Sequence, residues 1–572
     1  MTQPAANLTA ATFRSNPFVG LRPYESADTY VFFGRNEHTF ELMTKLKENR
    51  FIGIVGSSGC GKSSLIRAGL LPKLKAGFLI GERSRWRDAV MRPGVEPLRH
   101  LAIALLRAFS PAVSNAEVQQ LAAEIDKGGL QSVIKRLGEL IPGDTNLLLL
   151  VDQFEEVFEL EKEPKLRAEA ADFVALMLGL AEQTVLPMIY VVMTMRSDFL
   201  GDCDRYHGLP EALNRSQYLV PRLRREQRRE AIEGPITLYG QEITQRLLDC
   251  VLNEMGDQSD QLPVLQHALM RTWDVWERDP QRGPLDWPHY EQTGTLTDAL
   301  SIDADAALEE LSNLELRATK LMFQALTKLD ENKRRTRSRQ TLDDLVAITG
   351  ADRDQLIKII KRFRTEGRAF LTFEEPELAS NPLVDISHES LIRQWKKLKD
   401  EWLIEEDEWS VIYIDLAKDA EDYYKSNDPS FFWDGVKLER AQEWRAERQP
   451  NAAWAERYHP RFDDAMRFLE ASEQESAAKK ARELEQLERD RKLNSKLRIL
   501  NLGLLLALLG SLLVGGYAYV KRDEAARFAE NLKTANSKIR VPSVSGRGAG
   551  RDPQETRGSS QDSSPKDTAG LL

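Results

Sequence analysis

The sequence has little cysteine and no CxxC pair. Its three cysteines, Cys60, Cys203 and Cys250, lie far apart in the 572-residue chain. This spacing supports neither a disulfide framework nor a zinc ribbon, so the composition favours a reducing compartment. Residues 1–15 lack the charged-then-apolar layout of a secretory signal and are predicted to be disordered.

An excess of basic charge is also missing. Lys and Arg total 79 against 89 for Asp and Glu, which gives a net charge of −10. An acidic sum argues against a protein that coats nucleic acid, although it does not exclude a local basic patch. Two basic clusters, at 222–229 and 333–339, lack an interleaved aromatic platform. We expect them to be solvated or to contact nucleotide and neighbouring domains, and nucleic acid is not among the expected partners.

Long apolar runs are absent except at 499–520. These uncharged residues would span about 33 Å as a helix, enough to cross a bilayer. A buried core helix is the alternative, which the flanking basic residues disfavour: Lys496, Arg498, Lys521 and Arg522. We predict one membrane span at 499–520, a charged helical stalk at 476–498 before it, and a mostly disordered tail at 521–572.

Three shorter apolar runs, at 51–55, 147–151 and 188–195, are separated by helical stretches. Runs of this length that are apolar on both faces are typical of buried parallel strands in an α/β sheet. Hydrophobic residues make up 42% and charged residues 29% of the chain. These fractions exclude a wholly disordered, a collagen-like or a polytopic membrane protein.

The stretch at 301–398 has a different pattern. It predicts helices at 314–329, 342–348 and 352–364, then strands at 369–373 and 383–386, and a final helix at 389–398. A helix–turn–helix followed by a hairpin is a winged-helix layout.

A glycine-rich loop follows the first predicted strand and fits the pattern GxxxxGK[ST]. Its glycines let successive N–H groups, backed by a helix N-terminus, face phosphate oxygens. Lys62 is predicted to reach the β- and γ-phosphates of a nucleotide, and the Ser63 hydroxyl to bind Mg²⁺. The predicted nucleotide-binding residues of the loop are Gly56, Ser57, Ser58, Gly59, Cys60, Gly61, Lys62, Ser63 and Ser64.

Carboxylates follow the second predicted strand. Asp152 is predicted to hold Mg²⁺ through water, and Glu155 or Glu156 to polarise the attacking water, with Glu155 preferred. Solvated loop acids are the alternative, which the upstream glycine-rich loop disfavours. Together, loop and acids predict a P-loop NTPase that uses ATP or ADP with Mg²⁺.

The third predicted strand runs into Arg196, at the strand end where ligands bind in open α/β sheets. An arginine at this place can sense the γ-phosphate and stabilise the charge of phosphoryl transfer. A purely structural pair between Arg196 and Asp198 is the alternative.

The predicted fold is therefore an α/β P-loop NTPase core with a parallel sheet flanked by helices. A helical domain, a winged-helix domain, a helical extension and one C-terminal transmembrane helix follow it. The expected boundaries of the first four domains are 16–221, 222–300, 301–398 and 399–475.

With these motifs the chain resembles the STAND class of signal-transduction ATPases, in particular the bacterial novel STAND NTPase 1 type. The resemblance covers about residues 16–475. It rests on stretches at 16–24, 32–35, 92–94, 152–156, 196–199, 233–235, 262–269, 387–391 and 468–472.

The resemblance implies a switch that is closed with ADP, when the winged helix covers the site, and open with ATP, with hydrolysis as a slow reset. It places Gly34 and Arg35 at the nucleotide-binding edge and Pro263 near the adenine, although Gln261 stands where the family has glycine. It places His388 near the ADP β-phosphate, with a capped or core histidine as the alternative. The implied partners are the membrane, further copies of the chain in the ATP state, and an unidentified effector or sensor protein.

Two other functions stay open at this point. A membrane-anchored scaffold with a vestigial ATPase predicts no dependence on nucleotide. A P-loop kinase or transport ATPase predicts fast turnover, whereas the switch predicts co-purified ADP and slow hydrolysis. Because ATP and a reducing pool are both cytoplasmic, we expect a bacterial inner-membrane protein with its NTPase domain in the cytoplasm.

Overall fold

The computed structural model describes residues 15–536 except 79, 81–82, 111, 163, 186–188, 257–260, 330–332, 366 and 374–380. The chain divides into two units, Met1–Glu475 and Ser476–Leu572. The disorder predicted before residue 15 and after residue 536 lies outside the described residues.

A parallel sheet of five strands occupies the first half of the chain. The strands are β1 (Phe51–Gly56), β2 (Arg85–Met91), β3 (Thr145–Val151), β4 (Ile189–Arg196) and β5 (Gln217–Leu219). Their order in the sheet is β2-β3-β4-β1-β5. All residues of β1 and β3 are buried, as expected for a parallel sheet covered on both faces. The three strands predicted from apolar runs, β1, β3 and β4, are present.

Helices cover both faces of this sheet. On one face, Leu101 and Met177 pack with Leu149, and on the other Ile66 packs with Leu150. The helix predicted after the glycine-rich loop is present, with a π-helical middle section at Leu65–Leu70. The helices are α1 (Asn36–Glu48), α2 (Lys62–Ser64), α3 (Leu71–Lys75), α4 (Pro97–Phe109), α5 (Asn115–Leu140), α6 (Pro164–Glu182) and α7 (Leu209–Arg215).

A bundle of helices follows the sheet. Leu248, Leu265 and Trp273 lie in its core, together with Phe18 from the N-terminal segment. The indole Nε1 of Trp273 donates to the carbonyl oxygen of Ser15 at 3.1 Å, so the N-terminal segment is held against this bundle. The helices are α8 (Arg225–Leu238), α9 (Gln245–Glu254), α10 (Gln261–Arg278), α11 (Trp287–Gln292) and α12 (Thr295–Ala306).

The next region combines short helices with two small antiparallel sheets, β8-β10-β9 and β6-β7. The helix predicted at 314–329 ends at residue 325, after which the chain enters β6. Gly350, with φ of 69°, ends α14 and allows the tight turn into α15. The elements are α13 (Asn313–Ala325), β6 (Thr327–Leu329), β7 (Arg335–Arg337), β8 (Gln340–Thr341), α14 (Leu342–Thr349), α15 (Arg353–Phe363), β9 (Leu371–Phe373), β10 (Leu383–Ile386) and α16 (Glu389–Gln394).

A helical extension packs on this region through large aromatic side chains. Tyr413, Trp444 and Trp454 are each less than 2% exposed and share one core with Phe323 and Trp395. Its helices are α17 (Leu403–Ser426), α18 (Gly435–Arg448) and α19 (Ala452–Glu456).

The last described helix, α20, is Phe462–Asn536. Among the described helices it is the one whose length and composition suit a membrane crossing. The predicted stalk and span lie on this helix, and its apolar side chains between 499 and 520 are exposed. The helix continues beyond residue 520 because the sequence to residue 536 is rich in helix formers such as Ala, Glu and Lys.

Candidate functional site

The glycine-rich loop lies between β1 and α2 and lines a cavity. Gly59 and Gly61 have φ values of 70° and 92°, which glycine adopts without the steric cost that other residues incur. A Cβ on Gly56 would lie 2.7 Å from Sγ of Cys60, so this position also needs glycine. The loop residues that line the cavity are Ser58, Gly59, Gly61, Lys62, Ser63 and Ser64.

Two basic side chains hold the loop in shape. Nζ of Lys62 donates to the carbonyl oxygens of Gly56 and Ser57 at 2.9 and 2.8 Å. The guanidinium of Arg35 donates to the carbonyl oxygens of Cys60 and Pro221, both at 2.8 Å. Arg35 therefore fixes the loop backbone.

Asp152 follows the last residue of β3 and is fully buried. Its Oδ1 accepts hydrogen bonds from Oγ of Ser63 at 2.7 Å and Oγ1 of Thr194 at 2.6 Å, and its Oδ2 pairs with Arg67 at 2.9 Å. Burial alone would raise the pKa of Asp152, but the positive charges of Arg67 and Arg92 and these hydrogen bonds lower it overall. The carboxylate is thus held ionised beside the loop.

The neighbouring acids Glu155 and Glu156 have different surroundings. Glu155 lines the cavity, and burial raises its pKa even though Lys62 and Arg196 act in the opposite direction. Glu156 forms an ion pair with Arg339 and accepts a hydrogen bond from the backbone N–H of Gly94 at 2.9 Å. A raised pKa and access to the cavity suit Glu155 for accepting a proton, whereas Glu156 is engaged.

Glu389, the first residue of α16, reaches across to the loop. Its Oε2 accepts a hydrogen bond from Oγ of Ser58 at 2.9 Å, and its Oε1 pairs with Arg196 at 3.2 Å and Arg337 at 3.1 Å. We call these four residues the Glu389 cluster. Burial would raise the pKa of Glu389, but Arg337, His388 and Arg196 hold it well below its ordinary value. Arg196 also pairs with Asp198 at 2.6 Å, as the structural alternative expected.

The other predicted residues differ in their relation to the cavity. Pro263 and His388 line it. Nδ1 of His388 accepts a hydrogen bond from the backbone N–H of Ser390 at 3.1 Å, so this histidine caps α16. A Cβ on Gly34 would lie 2.3 Å from the carbonyl oxygen of Gln227, which makes Gly34 a packing position against α8.

Part of the cavity lining is apolar. Phe32, Leu223, Leu262 and Pro263 belong to it, and such side chains suit a flat aromatic ring such as a nucleobase. Two polar side chains, Tyr24 and Gln266, lie beside them, joined by a hydrogen bond of 2.5 Å from the tyrosine hydroxyl to Oε1 of the amide.

Several residues at the site were missed by the sequence analysis. Arg92 follows the last residue of β2 and lines the cavity, and because β2 pairs with β3 it leaves the same edge of the sheet as Asp152. Arg337 and Arg339 lie in the basic cluster at 333–339. Their ion pairs with Asp385 and Glu389 lie within the region at 301–398, and the pair of Arg339 with Glu156 reaches the sheet region, which agrees with the expected contact to a neighbouring domain.

The donor set at Ser63 and Asp152 fits Mg²⁺. This ion takes hard oxygen ligands and is commonly held by one or two protein groups, with phosphate oxygens and water completing its shell. Within the described ranges, no three His, Cys, Asp or Glu side chains converge as a metal-binding group. An Mg²⁺ ion here would therefore depend on a bound nucleotide for most of its ligands.

Comparison with known proteins agrees with the motifs. A model of the family described as Novel STAND NTPase 1 matches residues 17–430. No curated protein matches the chain.

Among solved structures, Drosophila ORC bound to DNA is 13% identical, with 68% of this chain and 92% of that chain covered and a TM-score of 0.34. The Aeropyrum pernix ORC2 protein in its ADPNP-ADP complexes is 15% identical, with 65% and 94% covered and a TM-score of 0.37. The Walker-type ATPase PABY2304 of Pyrococcus abyssi is 13% identical, with 66% and 99% covered and a TM-score of 0.31. Likeness at this level carries no argument about function.

Proposed function

The chain belongs to the novel STAND NTPase 1 family, and from this premise we propose that it is an ATP-binding, slowly hydrolysing signalling switch. In this proposal the protein is closed with ADP and open with ATP. The open form assembles with further copies of the chain or activates a partner protein, so the product of the reaction is a signal.

One observation carries the proposal, namely the contact of Glu389 with both Ser58 and Arg196. Ser58 belongs to the phosphate loop, and Arg196 stands at the strand end next to it, since Gly56 and Arg196 are partners in the sheet. A γ-phosphate bound at this loop would place negative charge beside the Glu389 carboxylate and compete for the same arginine. ADP, which lacks that phosphate, is compatible with the contact.

The residues at the cavity have distinct roles in this proposal. Lys62 and the loop amides bind the phosphates, and Ser63 and Asp152 hold Mg²⁺, which would neutralise charge on the β- and γ-phosphates. Glu155 accepts a proton from the attacking water. Arg196 stabilises the charge of transfer once Glu389 has released it.

The region at 301–398 is, in this proposal, a winged-helix domain that closes over the nucleotide. It provides Glu389 and also Arg339, which pairs with Glu156 beside the Walker-type aspartate. His388 lines the cavity and is the proposed contact to the β-phosphate of ADP. Pro263 is the proposed contact to the adenine.

Membrane attachment is proposed to occur through the apolar part of α20, at 499–520. The exposed apolar side chains of this segment would be satisfied by lipid rather than by water. The proposed location is the bacterial inner membrane, with the NTPase region in the cytoplasm. Protease protection of the tail in vesicles tests this orientation.

The most direct experiment on the proposed function is to denature the purified full-length protein and to chromatograph the nucleotide that it releases. We expect ADP from the wild type and none from Lys62→Ala. Lys73→Ala, at an exposed position of α3, is the matched control and should release as much ADP as the wild type. If the wild type releases no nucleotide and binds none that is added, the proposal is wrong.

A further inference from the structure

Besides Arg35, which holds the loop backbone, five arginines lie around Asp152 and the glycine-rich loop, and four of these five are engaged. Arg67 pairs with Asp152, and Arg196 pairs with Asp198 and Glu389. Arg337 and Arg339 both pair with Asp385, and Arg337 also pairs with Glu389 and Arg339 with Glu156. These pairs neutralise the four guanidinium groups within the protein.

Arg92 is the exception. Its side chain lines the cavity and is partly buried, yet it has no ion pair or hydrogen bond with any residue that the structure describes. Burial lowers the pKa of Arg92, and the positive charges of Arg67 and Arg337 act in the same direction. The negative charges of Asp152 and Asp385 raise this pKa but do not cancel the effect of burial. A partly buried cation without a partner is costly for the folded state, so its presence requires an explanation.

The pairing of the strands places Arg92 at the same edge of the sheet as the glycine-rich loop. Met91 and Val151 are partners in the parallel pair β2–β3, and the backbone N–H of Asp152 donates to the carbonyl oxygen of Met91 at 2.8 Å. Arg92 and Asp152 therefore leave the same edge of the sheet side by side. The loop and Arg196 leave the same edge from β1 and β4.

We propose that Arg92 is a phosphate-binding residue of the nucleotide site, which contacts the phosphate chain from the end of β2, next to Asp152. An anionic oxygen of the nucleotide would supply the partner that Arg92 lacks in the protein. This inference rests on the proposed function in one respect, the binding of a nucleoside polyphosphate in this cavity.

The proposal adds a second arginine to the site with a role distinct from that of Arg196. In the closed form Arg196 is engaged by Glu389 and Asp198, whereas Arg92 is available. Arg92 therefore binds phosphate before the Glu389 cluster opens. Arg196 contributes only afterwards.

The test uses the full-length protein in detergent and compares the wild type with Arg92→Met by calorimetric titration with ADP and with a non-hydrolysable ATP analogue. A charged hydrogen bond of the kind proposed corresponds to a loss of affinity of about tenfold to a hundredfold. If Arg92→Met loses affinity only for the ATP analogue, Arg92 contacts the third phosphate. If it loses affinity for ADP as well, Arg92 contacts the second phosphate. Both results support the proposal.

A stability measurement separates binding from folding. Because Arg92 has no partner to leave behind, Arg92→Met should keep or raise the Tm of the nucleotide-free protein while it weakens nucleotide binding. Arg92→Lys should regain part of the lost affinity, and Arg87→Met, at an exposed position of the same strand, should change neither quantity.

The proposal is overturned if Arg92→Met binds both nucleotides as tightly as the wild type, or if it only lowers the Tm. Either result leaves the proposed function standing. If the wild type itself binds no nucleotide, the proposed function fails together with this inference, so the two failures are distinguishable.

Discussion

Among the residues that the structure describes, two buried glutamates, Glu389 and Glu406, are held by arginines, and of these two Glu389 faces the cavity. Glu406 on α17 is 1% exposed and accepts hydrogen bonds from Trp454, Arg457 and Tyr458 within the helical extension. Glu389 is 6% exposed and joins its region to the phosphate loop through Ser58. The pairing of a buried glutamate with arginine therefore stabilises a core at Glu406, whereas at Glu389 it connects one region of the chain to the cavity.

The surroundings account for this difference. Around Glu406, the aromatic rings of Trp454 and Tyr458 pack against each other, and the guanidinium of Arg448, which is 2% exposed, lies 3.9 Å from the second carboxylate oxygen. Around Glu389, Arg196 and Arg337 line the same cavity as the glycine-rich loop. We therefore expect changes at Glu406 to affect folding, and changes at Glu389 to affect the choice of nucleotide.

The largest effect is expected at Glu155, on the cavity side of the comparison. Glu155→Gln should lower ATP hydrolysis by about 10²–10⁴-fold, the usual contribution of a general base. Because the pKa of Glu155 is raised, wild-type hydrolysis should fall as the pH decreases through a value above the ordinary carboxyl range. Glu155→Gln should lack this acid limb.

Glu156→Gln is the matched comparison and should keep the decrease in rate at low pH, because Glu156 is engaged by Arg339 and does not line the cavity. As the pH rises, ionisation of Glu155 increases the rate of hydrolysis but decreases the stability of the folded state. A raised pKa means that the folded state binds this proton more tightly than the unfolded state. Ionisation of Glu155 therefore costs folding stability as the pH rises. A pH profile without an acid limb in the wild type would remove Glu155 as the base.

Next in size is Glu406→Ala, which tests the structural side of the comparison. Removal of one partner from a buried ion pair costs about 3–5 kcal/mol, because the remaining guanidinium is left without its partner. Urea denaturation measures the loss. Glu408→Ala, at an exposed position of the same helix, should cost less than about 0.5 kcal/mol.

Glu389→Gln should shift the ratio of ADP to ATP affinity about tenfold towards ATP, because it removes the carboxylate that competes for Arg196. Competition titration with a fluorescent nucleotide measures the ratio. Glu401→Gln, at an exposed position, is the control with the same chemical change. If Glu389→Gln leaves the ratio of ADP to ATP affinity unchanged, Glu389 has only a structural role, like Glu406.

The smallest effect is expected at Lys328, which pairs with Glu159 at 2.9 Å between the same two regions but away from the cavity. The side chains of the pair are 35% and 56% exposed, so its contribution is about 0–1 kcal/mol. Lys328→Ala should change the ADP to ATP ratio less than about twofold. If Lys328→Ala shifted this ratio as much as Glu389→Gln, any contact between the two regions would control the relative affinity for ADP and ATP.

The strands at the centre of the sheet could be predicted because their side chains are apolar on both faces and a motif follows each of them. β5 was missed because it has three residues at the edge of the sheet and only the middle one is buried. β7 was missed because its sequence, Arg-Thr-Arg, has no apolar pattern at all.

Some residues of the candidate site could likewise be predicted from the sequence, and others could not. Lys62, Ser63 and Asp152 could be named because local spacing marks them. The arginine contacts could not, because Glu156 and Arg339 are 183 positions apart and no periodicity links them. The one signal that was available, the strand end at Met91, points to Arg92 only once β2 is known to pair with β3.

Hydrogen exchange at α16 shows whether a third phosphate displaces Glu389 from Arg196. With ADP, the backbone amides of Glu389–Gln394 should be protected, because the Glu389 cluster is intact. With a non-hydrolysable ATP analogue, the same amides should exchange faster, while those of β3 stay protected. Equal protection of α16 with both nucleotides would contradict the claim that a third phosphate and Glu389 compete for Arg196.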